Sequence, residues 1–110
     1  MKEKRVLYAR NPLTFGRNPR LATARELINV TKHVSNSLAD FNASFLIVHG
    51  TDDRVTDPKL SQVFFDESTS KDKTIKLYDG MWHGLMNTEP DENIDRVFRD
   101  ISEWILNRCP

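Results

Sequence analysis

Phe45-Leu46-Ile47-Val48-His49-Gly50-Thr51-Asp52-Asp53-Arg54-Val55-Thr56-Asp57-Pro58 is the stretch whose chemistry sets the fold. Phe45 to Val48 is a compact apolar run without alternation, the pattern of a strand covered on both faces inside a parallel sheet. Thr51 to Asp57 is polar and cannot continue that strand, so a loop must leave its carboxyl end. Asp57-Pro58 then supplies an N-cap acceptor followed by proline at the first helical position, where a missing N–H is harmless. Leu60, Val63 and Phe64 give the following helix one apolar face and predict an end near Ser68.

Downstream, Ser68 to Lys73 is a polar linker, and Thr74-Ile75-Lys76-Leu77-Tyr78 alternates as a strand nearer the sheet edge does. Strand, helix and strand in this order imply a right-handed parallel βαβ unit. Asp79 to Leu85 is a loop with Gly80 and Gly84 in it, and it continues to Asp91. Ile94, Val97, Phe98, Ile101, Trp104 and Ile105 then form an apolar stripe opposite Asp95, Arg96, Arg99, Asp100 and Glu103, which predicts a final helix stopping near Arg108. Upstream, residues 10–20 mix turn formers with arginines and read as a loop. Leu21, Ala24, Leu27, Ile28, Thr31, Val34 and Leu38 fall on one helical stripe that fades near Asp40. Thr23 with Glu26 offers a capping box at its start, the alternative being a helix that begins slightly earlier.

The chain has 110 residues, short for an open sheet with helices on both faces, so an incomplete α/β domain is expected. Its 38% hydrophobic and 29% charged residues argue against disorder. Sixteen basic and sixteen acidic residues cancel, which leaves no electrostatic footprint for nucleic acid. Cys109 alone builds neither a disulfide framework nor a multi-cysteine zinc site, and it fits a reducing, cytoplasmic compartment. No apolar run approaches the ~18 residues that span a bilayer. The charged start is followed by no apolar segment of signal-peptide length.

In open α/β sheets, chemistry gathers beyond the carboxyl ends of the strands. The first loop carries Asp52 and Asp53, and the second carries His83. A carboxylate and an imidazole on one rim are half of a relay that activates a hydroxyl nucleophile. On this pattern alone the plainer reading weighs more: Asp52 caps a turn, and His83 is a polar loop residue packed by Trp82.

A resemblance changes that balance. Phe45 to Pro58 resembles the acid-bearing segment of monoacylglycerol lipases, in which a strand leads into H-G-x-x-D-x-V-x-x-P. Lys73 to Leu85 resembles the strand and loop that deliver the catalytic histidine in that family. Glu89-Pro90-Asp91-Glu92-Asn93 and the helix after it resemble the plant monoacylglycerol-lipase-like and caffeoylshikimate-esterase group of S33-type hydrolases. The resemblance implies the C-terminal part of a serine hydrolase of α/β-hydrolase fold, with Asp53 as triad acid and His83 as triad base. Asp52 is a departure, because the family commonly has a small residue there. Residues 1–40 would be the end of the cap, with Leu13, Phe15, Leu27 and Ile28 lining or packing it, and residues 41–110 the segment carrying acid and histidine. The implied substrate is a small acyl ester such as a monoacylglycerol, with no metal or organic cofactor and with peripheral membrane contact through the cap.

The family's nucleophile sits in a G-x-S-x-G elbow. No serine of this chain (Ser35, Ser37, Ser44, Ser61, Ser68, Ser70 or Ser102) has those flanking glycines, and no H-G-G oxyanion loop occurs. The expectation is a fragment that supplies acid and histidine but is inactive alone and prone to self-association. The alternative is a non-catalytic remnant or interaction module.

Overall fold

In a computed structural model, the described residues are Val6, residues 9–13, Asn18 and residues 20–109. They contain helix α1 (Leu21–Asn36), a single 3-10 turn (Leu38–Asp40), strand β1 (Phe45–Gly50), helix α2 (Pro58–Glu67), strand β2 (Lys73–Tyr78) and helix α3 (Asp91–Leu106). β1 and β2 pair in parallel, with Phe45 opposite Lys73 and Gly50 opposite Tyr78. Both carboxyl ends therefore open on the same rim, as the βαβ order requires.

Alternation along the strands assigns a helix to each face of the sheet. Phe45 stacks on Phe64 of α2 with ring centroids 4.9 Å apart, and Phe41 packs against both rings. Lys73, opposite Phe45, donates from Nζ to the carbonyls of Phe65 and Ser68 at the end of α2, where a cation complements the helix dipole. The other face belongs to α3. Trp104 Nε1 donates to Thr74 Oγ1 at 3.1 Å, Lys76 pairs with Asp100 at 2.7 Å, and the Tyr78 hydroxyl donates to Asp100 Oδ2 at 2.7 Å. Tyr78, Met81, Leu85 and Val97 form the buried cluster, with Val48 and Ile101 against it. The core thus sits directly beneath the loop that follows β2.

Asp57 caps α2 as its sequence predicts: its Oδ1 accepts from the Lys59 N–H at 2.9 Å, with Pro58 in the first turn. Three expectations are corrected. α1 starts at Leu21 with Arg20 at the N-cap and no side-chain cap bond, so Thr23 lies inside the first turn and forms no capping box. α1 ends at Asn36, before the tighter turn that buries Leu38. α3 begins at Asp91, ahead of the apolar stripe, because Asp91 and Glu92 favour the positive end of the helix dipole, and it ends at Leu106. Arg10 is helical, Asn11, Pro12, Leu13, Asn18 and Arg20 are non-helical as expected, and residues 14–17 and 19 lie outside the described residues.

No residue of α1 is buried. Leu13, Leu27 and Ile28, expected to line or pack the cap, are all exposed, and Phe15 lies outside the described residues. β1, expected to be covered on both faces, is half-buried along most of its length and pairs with β2 alone among the described residues. No helix of the described residues is long and apolar enough to cross a membrane.

Candidate active site

The loops leaving β1 and β2 are joined by their backbones. Thr51 N–H donates to the Tyr78 carbonyl, and Asp52 N–H donates to the Met81 carbonyl, each at 3.0 Å. Gly80 N–H donates to Thr51 Oγ1 at 2.9 Å. Two glycines make this approach feasible. A Cβ on Gly50 would overlap the carbonyls of Met81 and Trp82, and Gly80 sits at φ +70°, where side chains are strained.

Asp53 lies at the centre, its side chain 2% exposed. Its Oδ1 accepts from the backbone N–H of Val55 at 2.7 Å and of Thr56 at 3.1 Å, an Asx turn closed on the chain just ahead. Its Oδ2 accepts from Thr56 Oγ1 at 2.8 Å, from His83 Nδ1 at 2.8 Å and from His49 Nε2 at 2.9 Å. Burial alone would raise this carboxyl's pKa. The hydrogen bonds from His83, from the backbone of Thr56 and Val55 and from the Thr56 hydroxyl outweigh it and hold the group well below the usual carboxylate range.

An ionised carboxylate only accepts, so Nδ1 of His83 carries a proton, and the neutral ring then has its lone pair at Nε2; the side chain is 55% exposed. The loop holding that ring is fixed from below. Glu89 is buried. Its Oε1 accepts from the Trp82 N–H at 2.8 Å, and its Oε2 accepts from Asn93 Nδ2 at 3.2 Å, which ties the loop to the first turn of α3. Arg54 lies over the Trp82 ring at 5.4 Å. Chemically, the arrangement can hold an imidazole in one tautomer, accept a proton at Nε2 and stabilise the resulting imidazolium.

Asp53 and His83 are thus brought into direct contact. Asp52, the neighbour of Asp53, is exposed and lies outside the hydrogen bonds that join Asp53 to His83 and His49. Four participants escaped the sequence reading: His49, Thr56, Ser61 and Glu89. Ser61 Oγ lies 2.7 Å from His49 Nδ1. The Asx turn of Asp53 closes on Val55, two residues on, and Thr56 lies one residue beyond it. Among the described residues, no group of three His, Cys, Asp or Glu side chains could hold a metal.

Residues 1–91 match the family described as serine aminopeptidase, S33. Over 103 residues the chain is 40% identical to caffeoylshikimate esterase of Arabidopsis thaliana, an alignment covering 94% of this chain and 31% of the esterase. It is 28% identical to human monoglyceride lipase over 102 residues, covering 93% of this chain and 33% of the lipase. A solved structure of a soluble variant of Saccharomyces cerevisiae monoglyceride lipase, in complex with a substrate analog, superposes with a TM-score of 0.63 at 32% identity. That match covers 72% of this chain and 28% of the lipase chain. The chain therefore spans about a third of the length of the relatives it matches, and what it has in common with them is part of an α/β-hydrolase fold. On that match and that fold, the chain belongs to the serine aminopeptidase S33 family of α/β-hydrolases.

Proposed function

We propose that this chain supplies the acid and the base of a Ser-His-Asp relay for carboxylic-ester hydrolysis, with Asp53 as the acid and His83 as the base. The observation that carries the reading is the 2.8 Å contact between Asp53 Oδ2 and His83 Nδ1, made across two parallel loops and leaving Nε2 on an exposed ring. In this role Asp53 fixes the tautomer of His83. Nε2 takes the proton of a serine hydroxyl during attack and returns it to the leaving alcohol. The nucleophile comes from a G-x-S-x-G elbow, a motif that residues 1–110 do not contain. The substrate class is a small acyl ester of the monoacylglycerol kind, in keeping with the names of the related lipases. Residues 1–40 read as the end of a cap and residues 41–110 as the catalytic segment.

A chimera tests this directly: residues 41–110 replace the matching segment of yeast monoglyceride lipase, and kcat/KM is measured on a monoacylglycerol. Asp53→Asn and His83→Ala are each expected to lower it by about 10⁴-fold, while Asp52→Asn leaves it unchanged. Full activity in the His83→Ala chimera would end the reading.

A further inference from the structure

His49 and Ser61 have no place in the relay just described, yet they form a second chain of hydrogen bonds ending on the same carboxylate oxygen. His49 Nε2 lies 2.9 Å from Asp53 Oδ2, and Ser61 Oγ lies 2.7 Å from His49 Nδ1. The carboxylate can only accept, so His49 carries its proton on Nε2. In the neutral ring Nδ1 is then a lone pair, to which the Ser61 hydroxyl donates. The His49 side chain is 13% exposed, and both ring nitrogens are engaged in this one neutral tautomer. It is the opposite tautomer to that of His83.

The elements give this chain its meaning. His49 belongs to β1 and Ser61 to α2, whereas Asp53 and His83 both sit on loops. Oδ1 of Asp53 is held by its own loop's backbone, and Oδ2 is tied through His49 to the sheet and through Ser61 to the crossover helix. A carboxylate that must aim an exposed imidazole gains from an anchor on rigid structure, because catalytic geometry tolerates only fractions of an ångström.

We infer that His49 is a positioning residue for the acid: a second imidazole, oriented by Ser61, that locks the Asp53 carboxylate in the plane that orients His83. The inference rests on the proposed roles of Asp53 and His83. It differs from a second relay, in which Ser61 would itself be a nucleophile.

The test uses the 110-residue chain with ¹⁵N-labelled histidine and long-range proton–nitrogen spectra near neutral pH. His33, exposed on α1, serves as the tautomer-averaged reference. Expected are a single Nε2–H tautomer for His49 and an Nδ1–H tautomer for His83. Averaging of His49 like that of His33 overturns the inference while leaving the relay intact. Averaging of His83 beside a fixed His49 sinks the relay reading instead and leaves the anchoring of Asp53 standing. His49→Phe keeps the ring and removes both nitrogens, and it is expected to abolish the slowly exchanging His83 Nδ1 proton signal. His49→Gln restores a donor near the Nε2 position and is expected to restore the signal. An unchanged signal in His49→Phe overturns the positioning role. Should His49→Phe fail to fold, Ser61→Ala removes the hydroxyl alone: the Asp53 carboxylate still holds the Nε2 proton, and the His49 Nδ1 resonance is expected to shift as it loses its donor. An unmoved Nδ1 resonance counts against the inference. Covalent labelling of Ser61 by a fluorophosphonate would also overturn it, by making Ser61 a nucleophile.

Discussion

Asp53 gathers five donors on two oxygens, one more than the roughly four lone-pair sites of a carboxylate, so the three on Oδ2 share its two lone pairs. Asp72 is likewise held below the usual range, by Arg108, and so is Asp100, by Lys76. In all three, the folded pKa lies below the unfolded value of about 3.9, so the unfolded chain binds more protons as pH falls. Their contribution to stability is fully present above about pH 5 and is lost as pH drops through 4 and below. Urea midpoints measured from pH 7 down to pH 3 are expected to hold steady at first and then fall below about pH 5, and a midpoint that rises on acidification contradicts this. At this scale Asp53 and His83 were legible through the family resemblance of the segments that carry them, since their placement past the two strands left the plainer reading ahead. His49 and Ser61 were not. Their partnership joins a strand to a helix, and it depends on which way each side chain leaves its element, which spacing along the chain does not encode.

α2 follows from periodicity and its Asp57 cap, α3 from periodicity alone, and their faces meet the sheet as an alternating strand requires. The loop carrying His83 depends instead on one buried side chain. Glu89 accepts the Trp82 N–H, and its replacement leaves that donor unsatisfied beneath the loop. Glu89→Ala is expected to cost about 1–3 kcal/mol and to accelerate hydrogen exchange at the Trp82 amide, with the Asp57-capped start of α2 unaffected. Exchange that stays slow at Trp82 would show that the loop is held by other means. The sequence offered Glu89 only as part of a family-like run before α3, because a buried carboxylate is written the same way as an exposed one. The Thr23 capping box failed for a related reason. The stripe located α1, but the box needs Thr23 at the N-cap, and the helix begins two residues earlier.

Among the described residues the buried core is small and much apolar surface is uncovered. Tyr78, Met81, Leu85 and Val97 are enclosed, whereas Leu21, Leu27, Ile28, Val30 and Val34 of α1 face outward. β1 and β2 form a two-stranded sheet, with the outer edge of each strand unpaired among the described residues. Exposed apolar stripes and open edges favour association. The chain is expected to bind a hydrophobic dye, to melt broadly and to sediment in a concentration-dependent manner. A sharp cooperative melt of a monomer without dye binding would contradict this. One further property follows from the backbone bonds that join the loops carrying Asp53 and His83. Thr51 and Asp52 are stitched to Tyr78 and Met81 at fixed register, so neither segment has slack of its own. An insertion or deletion in one would drag the other, and the pair is therefore heritable and transplantable only as a single cassette, whatever substitutions accumulate on the surfaces around it.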